Sequence, residues 1–265
     1  MQYVTLNTGA LMPQLGFGVY QIPEKETAAI VSQAIKTGYR HIDTAQYYRN
    51  EVGVGQAVKA SGLPREDFFI TTKLATSGYG ATKTQISRAL KKLQTDYIDL
   101  MLIHWVVSDY LGTYRALQEA YEAGQLKAIG LSNFNQKQIK EILARFSVRP
   151  AVLQNEMHVF RQQAAMRQFC HDNGIQFESW APFGEGKENI FAHPLLTAIG
   201  NSYGKTAAQV ILRFLLQEAV VAIPKSADSG RMRQNFEIFD FELSSEDMES
   251  IRQLDRGRSL FGWNG

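Results

Sequence analysis

The chain has 265 residues, 45% hydrophobic and 20% charged, a balance that excludes disorder and suffices for one large core. A formal net charge of +2, from 28 Lys+Arg against 26 Asp+Glu, gives no field suited to nucleic acid or an anionic membrane, and no apolar run nears the about 20 residues of a membrane span. Cys170 is the one cysteine and the five histidines form no HExxH or His-x-His spacing, so neither a disulfide nor a catalytic metal is expected.

The first residues, Met1-Gln2-Tyr3-Val4-Thr5-Leu6-Asn7, carry no charged and apolar leader, and a cytoplasmic location is expected. Residues 4–6 and Leu11 read as a hairpin across Asn7-Thr8-Gly9-Ala10. Eight β-branched or aliphatic runs follow, at 15–19, 41–43, 68–74, 98–104, 126–131, 152–156, 176–180 and 220–223. Between them lie stretches with apolar residues three or four apart, such as Ile30/Val31/Ala34/Ile35, Ile86/Leu90/Leu93 and Leu117/Tyr121, which read as amphipathic helices. Thr206 followed by Gln209 is a capping box, and Gly38, Gly124 and Gly174 fall where helices should end. Residues 244–254 read as an extra C-terminal helix. There is no linker or low-complexity tract, and strand–helix alternation of this length predicts one α/β domain over residues 1–265, a closed (β/α)8 TIM barrel with an N-terminal hairpin and a C-terminal helix.

In such barrels the active site is assembled where the strands finish. Here strand two ends at Asp43, with Tyr48 just beyond, three carries Lys73, four ends at His104, and five leads into Ser132-Asn133. Six contains Gln154, seven ends at Trp180, and eight runs into Lys225-Ser226. Singly, each has a bland explanation: a strand-end Asp or Lys is usually a cap or a solvated charge, His104 a satisfied core histidine, Trp180 packing. Their recurrence at one end of successive strands does not. A dinucleotide fold is not supported, because Gly16-Phe17-Gly18 and Gly53-Val54-Gly55 both lack the full GxGxxG spacing.

The stretches His41-Ile42-Asp43-Thr44-Ala45-Gln46-Tyr47-Tyr48-Arg49-Asn50-Glu51, Ile70-Thr71-Thr72-Lys73-Leu74, Asp99-Leu100-Met101-Leu102-Ile103-His104-Trp105, Gly130-Leu131-Ser132-Asn133-Phe134, Gln154-Asn155-Glu156 and Ile223-Pro224-Lys225-Ser226 resemble, in order, signatures of the aldo-keto reductase family. The resemblance runs from about Gly16 to about Leu254 and is nearest in flavour to the short bacterial branch that includes 2,5-diketogluconate reductases. It implies NADPH-dependent reduction of aldehydes and ketones to alcohols, a small-molecule carbonyl substrate, NADPH/NADP+ as cofactor and a monomer. The implied tetrad is Asp43, Tyr48, Lys73 and His104: Tyr48 as proton donor, its acidity raised by the Lys73 ammonium, Asp43 holding that ammonium, and His104 orienting the carbonyl. Tyr47 is the rival acid, but the family pattern places the hydroxyl five positions after Asp43.

The resemblance assigns Ser132, Asn133 and Gln154 to the nicotinamide carboxamide and Trp180 to stacking on its ring. Pro182, Gly184 and Gly186, within Pro182-Phe183-Gly184-Glu185-Gly186-Lys187, match a loop that folds over the pyrophosphate. Lys225, Ser226, Arg231, Gln234 and Asn235 match the pocket for the adenosine 2′-phosphate and adenine, where Asp228 is expected to soften the NADPH preference. Tyr20, Tyr47 and Trp105 are expected to line the substrate side. The chain departs from the family in Val106-Val107, where proline is common, in a short loop before Tyr114, and in a brief tail from Arg256 to Gly265. Two other readings compete: a Schiff-base lyase using Lys73, which leaves Trp180, Gln154, Lys225 and Arg231 without roles, and a cofactor-sensing regulatory subunit, which does not need all four tetrad residues. Cys170, beside Phe169, reads as a small buried hydrophobe.

Overall fold

The computed structural model describes residues 1–262; Trp263, Asn264 and Gly265 of the short tail lie outside the described residues. Strands β1 (Tyr3–Thr5) and β2 (Leu11–Pro13) pair antiparallel as the expected hairpin. The remaining strands are β3 (Phe17–Gly18), β4 (His41–Asp43), β5 (Phe69–Leu74), β6 (Leu100–Ile103), β7 (Ile129–Ser132), β8 (Val152–Glu156), β9 (Gln176–Trp180) and β10 (Val221–Ala222), all parallel and in sequential order. A parallel bridge between Leu15 and Ala222, with Gly16 N donating to Ala222 O at 2.8 Å, brings the last strand back to the first and closes the barrel.

The first and last strands are shorter than the apolar runs suggest. Around them the staves meet through single bridges and bonds such as Gly18 N to Pro224 O at 3.1 Å rather than a full ladder. The 98–104 run likewise condenses to β6, with Ile98 held in an isolated bridge to Leu126. After β9 the chain makes a 3-10 segment, Gly184–Ala192, and a helix, Pro194–Tyr203, that strand–helix alternation does not predict, before the expected capped helix Ala207–Gln217. Helix Ser245–Arg252, with Ser244 and Asp247 as its capping box, is the C-terminal addition.

The period of two along each strand decides what the barrel contains. Phe69, Leu100, Leu102, Val152 and Val221 share a buried cluster with Leu6 and Met12 of the hairpin, so the barrel floor is apolar and the hairpin plugs it. Asn7 Nδ2 fixes that plug by donating to Pro150 O at 2.9 Å and Gly174 O at 3.1 Å. The alternate set, including Ile42, Ile70, Met101, Ile103, Leu131 and Leu153, packs outward under the helices. Further along the strands, the same inward rows carry Asp43, Lys73, His104, Ser132, Gln154 and Trp180 toward one end. Cys170 is buried in the outer cluster, and burial pushes its thiol up to about 12, consistent with a packing role.

The two glycines of Gly53-Val54-Gly55 serve helix packing. In helix Glu51–Ala60 an added Cβ at Gly53 would lie 2.7 Å from Thr27 Cβ, and one at Gly55 2.5 Å from Leu93 O. Gly55→Ala should therefore destabilise the protein despite alanine's helix preference of about 1 kcal/mol, because overpacking against backbone costs about 1–3 kcal/mol. A lowered Tm in calorimetry is the expected result; a Tm equal to or above wild type would show that the helices separate freely.

Candidate active site

At the barrel mouth a buried polar chain runs from strand to strand. The Lys73 Nζ donates to Asp43 Oδ1 at 2.5 Å, to Thr44 O at 3.0 Å and to the Tyr48 hydroxyl oxygen at 3.3 Å. Three acceptors match the three hydrogens of an ammonium, so Lys73 is charged. Burial alone would depress its pKa, but Asp43 above all, then Tyr48, hold it above the usual lysine range. Burial pushes the Asp43 carboxyl up, against the pull of Lys73 and of Gln154, whose Nε2 donates to Asp43 Oδ2 at 2.9 Å. With donors on both of its oxygens, Asp43 is the carboxylate of a buried ion pair.

Tyr48 follows β4 in a one-turn 3-10 segment, Gln46–Tyr48, and its ring packs against Tyr20 and His104 at centroid distances of 5.0 and 5.7 Å. Because its oxygen accepts from Lys73, the phenol proton is free to point elsewhere. The expected net lowering of its pKa is not what the surroundings produce. Burial pushes the phenol above its ordinary value, and the Lys73 charge only partly offsets this while Asp43 adds to the rise. Tyr48 therefore keeps its proton at neutral pH. Burial and Lys73 lower the His104 imidazole to about 3, so it is neutral.

These groups face a cavity of about 560 Å³ that is also lined by Tyr20, Tyr47, Trp105, Ser132, Asn133, Gln154, Trp180, Pro182 and Lys225. A second hollow of about 280 Å³ holds Ser226, Arg231, Gln234 and Asn235, and shares Phe183 and Lys225 with the first. The two form one trough. Gly184 and Gly186 line neither hollow; their φ values of +54° and +79° let the segment turn back on itself, and a Cβ on Gly184 would meet Leu260 Cδ1 at 2.9 Å. Lys73 lies beneath Tyr48 and reaches the trough only through it.

Several expected hands are already engaged. Asn133, at φ +63°, donates Nδ2 to His104 O and Ser132 Oγ, both at 3.0 Å, and accepts from Trp180 Nε1 at 3.0 Å. It braces the mouth. Gln154 gives both amide hydrogens to carboxyl oxygens, of Asp43 and Glu178, which turns its carbonyl oxygen to the remaining side. The Trp180 ring packs against Phe261 at 5.3 Å, so the short tail reaches the site. Asp228 caps helix Ser229–Phe236 by accepting from Arg231 N at 2.8 Å, which directs its charge to the helix dipole.

Sequence reading missed three contributors. Glu178 is a charged residue at an inward position of an otherwise core strand, and that placement was its signal. Lys187, donating to Leu260 O at 2.8 Å, and Phe261 belong to a tail-to-loop contact that no local pattern announces.

The Aldo/keto reductase family model matches residues 12–256. The chain is 44% identical to the glyoxal reductase of Bacillus subtilis over 96% of this chain and 92% of that one. It is 41% identical to the 9,11-endoperoxide prostaglandin H2 reductase of Trypanosoma cruzi, over 98% and 93% respectively. The crystal structure of MGS-M4, an aldo-keto reductase enzyme from a Medee basin deep-sea metagenome library, superposes with a TM-score of 0.96 at 39% identity, covering 99% of this chain and 98% of that one. On the breadth of these matches, from the floor of the barrel to its last helix, the chain belongs to the aldo/keto reductase family.

Proposed function

We propose that this protein is a cytoplasmic, monomeric, single-domain reductase that uses NADPH to convert small, reactive aldehydes and ketones to alcohols, an oxidoreductase acting on CH–OH groups, with Tyr48 as proton donor. The observation that carries the reading is the threefold donation by Lys73 Nζ. It directs the hydrogen of Tyr48, which burial holds in place, away from Lys73 and sets a cation 3.3 Å from the oxygen that must become negative. The same engagement disfavours a Schiff-base lyase, because a charged lysine with all three hydrogens bonded is not a nucleophile.

The trough suits an extended dinucleotide. Ser132 and the Gln154 carbonyl would hold the carboxamide, with Asn133 bracing them. Trp180 would flank the ring, Pro182 and the loop through Gly184 and Gly186 would cover the pyrophosphate, and Lys225, Ser226, Arg231, Gln234 and Asn235 would take the 2′-phosphate end. When bound, the cofactor supplies the hydride for the carbonyl carbon. Tyr48 gives its proton to the carbonyl oxygen, and Lys73 stabilises the phenolate that remains until it is reprotonated from solvent. Neutral His104 has one N–H to offer the same oxygen, which fixes the carbonyl's orientation. Tyr20, Tyr47 and Trp105 wall a mouth kept open by the short loop after β6, and the glyoxal reductase relative points to small dicarbonyls as good substrates.

Three outcomes follow from these roles. Tyr48→Phe should lose about 10²–10⁴-fold in carbonyl reduction while still binding NADPH, since only the acid is removed; near-normal turnover between pH 6 and 9 would move the acid elsewhere. In a substrate panel under saturating NADPH, glyoxal, methylglyoxal and simple aromatic aldehydes should be reduced best, and a strict preference for one large hydrophobic ketone would contradict the open mouth. Arg231→Ala should raise the dissociation constant for NADPH by roughly 10- to 150-fold, the equivalent of one charge-assisted phosphate contact of about 1.5–3 kcal/mol, and leave that for NADH nearly unchanged. Titration of cofactor fluorescence decides it: equal losses for both cofactors would make Arg231 structural.

A further inference from the structure

Below the tetrad lies a second carboxyl group that the proposed reaction does not use directly. Glu178 is fully buried on the inner face of β9. Its Oε2 accepts from Gln154 Nε2 at 2.9 Å, and the same nitrogen donates to Asp43 Oδ2 at 2.9 Å, so one amide couples the two carboxyls. Its Oε1 stands 3.7 Å from His41 Nε2, a ring that also contacts Thr71 Oγ1 at 3.1 Å. We propose that Glu178 is a positioning residue for the reaction proposed above: through Gln154 it orients Asp43, and by holding its own proton it limits the negative charge buried with Tyr48 when the phenol gives up its hydrogen.

The argument is a charge count. The titratable groups facing Glu178 are His41 and Asp43 from β4 and Lys73 from β5; Gln154 from β8 is neutral, and the register neighbour on β10, Val221, is apolar. Burial holds His41 down at about 3, so it brings no positive charge, and Lys73 is already matched by Asp43. An ionised Glu178 would stand as an uncompensated buried anion. Burial first, then Asp43, accordingly push it up to about 8. With Glu178 protonated, the Asp43–Lys73–Glu178 group is neutral and reaches a net charge of −1 after Tyr48 donates. With Glu178 ionised it would reach −2, which makes Tyr48 a weaker acid. Glu178 also helps fix the amide of Gln154, a side chain that lines the cavity.

The sign for stability is fixed by the same shift. Glu178 in the folded protein retains a proton that the unfolded chain releases near its ordinary value of 4.5, so its contribution to stability is full below that pH and is lost progressively as pH rises to about 8. The test uses the full chain with Glu178→Gln, which mimics the protonated acid, and Glu178→Leu, which removes Gln154's acceptor. In wild type, kcat for aldehyde reduction should fall through an inflection near pH 8; Tyr48, raised above its ordinary 10.0, cannot supply it. Glu178→Gln should lose that inflection, and Glu178→Leu should lower kcat about tenfold or more at every pH, the scale of about 1.4 kcal/mol in the barrier. An inflection unchanged in Glu178→Gln overturns the proposal. The Tm of cofactor-free protein, followed from pH 5 to 9, is read independently of activity: neutral buried His41 and His104 add stability toward pH 6.5 in both proteins, so the readout is the difference, and wild type should lose Tm relative to Glu178→Gln as pH rises to about 8. Parallel Tm curves overturn the proposal even if the variants are inactive, whereas a wild type that shows the Tm loss but reduces no aldehyde with NADPH refutes the enzymatic reading instead.

Discussion

The interior of this barrel is organised around one ion pair, Lys73 with Asp43, held at 2.5 Å with both side chains almost wholly buried. Removing two charges from water is expensive, and the attraction between them offsets that only when every remaining hydrogen and lone pair is satisfied. Thr44 O, the Tyr48 hydroxyl and the Gln154 amide supply those partners. Thr44 and Tyr48 follow directly on β4, Lys73 stands on β5 and Gln154 on β8, so the pair can exist only if these three strands are in register. The β4–β5 register, with Asp43 opposite Thr71, places Lys73 two residues further along on the same face and above Asp43.

A polar interior of this kind needs apolar support, and the fold supplies it from below and outside. The floor made by Phe69, Leu100, Leu102, Val152 and Val221 is sealed by Leu6 and Met12 of the hairpin, so water has no route to the ion pair from that end. Outside, the alternate strand residues pack beneath the helices in the larger buried apolar cluster. The hairpin is thus part of the site's electrostatics as well as of the fold: by closing the floor it helps keep the dielectric around Lys73 low. The strength of the Lys73–Tyr48 interaction depends on that exclusion.

Much of this was legible in the sequence because strand period and motif coincide. Asp43, Lys73, His104, Gln154 and Trp180 stand at inward positions of short strands, where a polar residue has few structural explanations, and all of them converge. What escaped were features that depend on distant pairings. Glu178 sits two residues before Trp180 on the same inward row, which marks it as unusual, yet what it does there depends on Gln154 and His41, which come from distant segments. The direction of the Tyr48 shift escapes the sequence for a similar reason: proximity to Lys73 is visible in the motif, but the burial that outweighs it is a property of the assembled barrel. Helix Pro194–Tyr203 breaks the alternation and so falls outside a rule built on it.

The tail carries the same point to the trough itself. Glu156, at the end of β8, accepts from Ser259 Oγ at 2.5 Å and Leu260 N at 2.9 Å, and is paired with His158 and Arg161. Burial would raise its pKa, but these donors together hold the carboxyl below the ordinary range, so the latch is charged at neutral pH. From that anchor Phe261 reaches Trp180, Lys187 lies 4.1 Å over the Phe261 ring, and Arg256 pairs with Glu188 at 2.8 Å. The 3-10 segment after β9 and the last described residues are therefore interlocked by contacts from both sides. Any ligand that lies along Trp180 and under that segment must be accommodated by both together, which ties the width of the trough to a stretch of chain beyond the last residue that the family model matches.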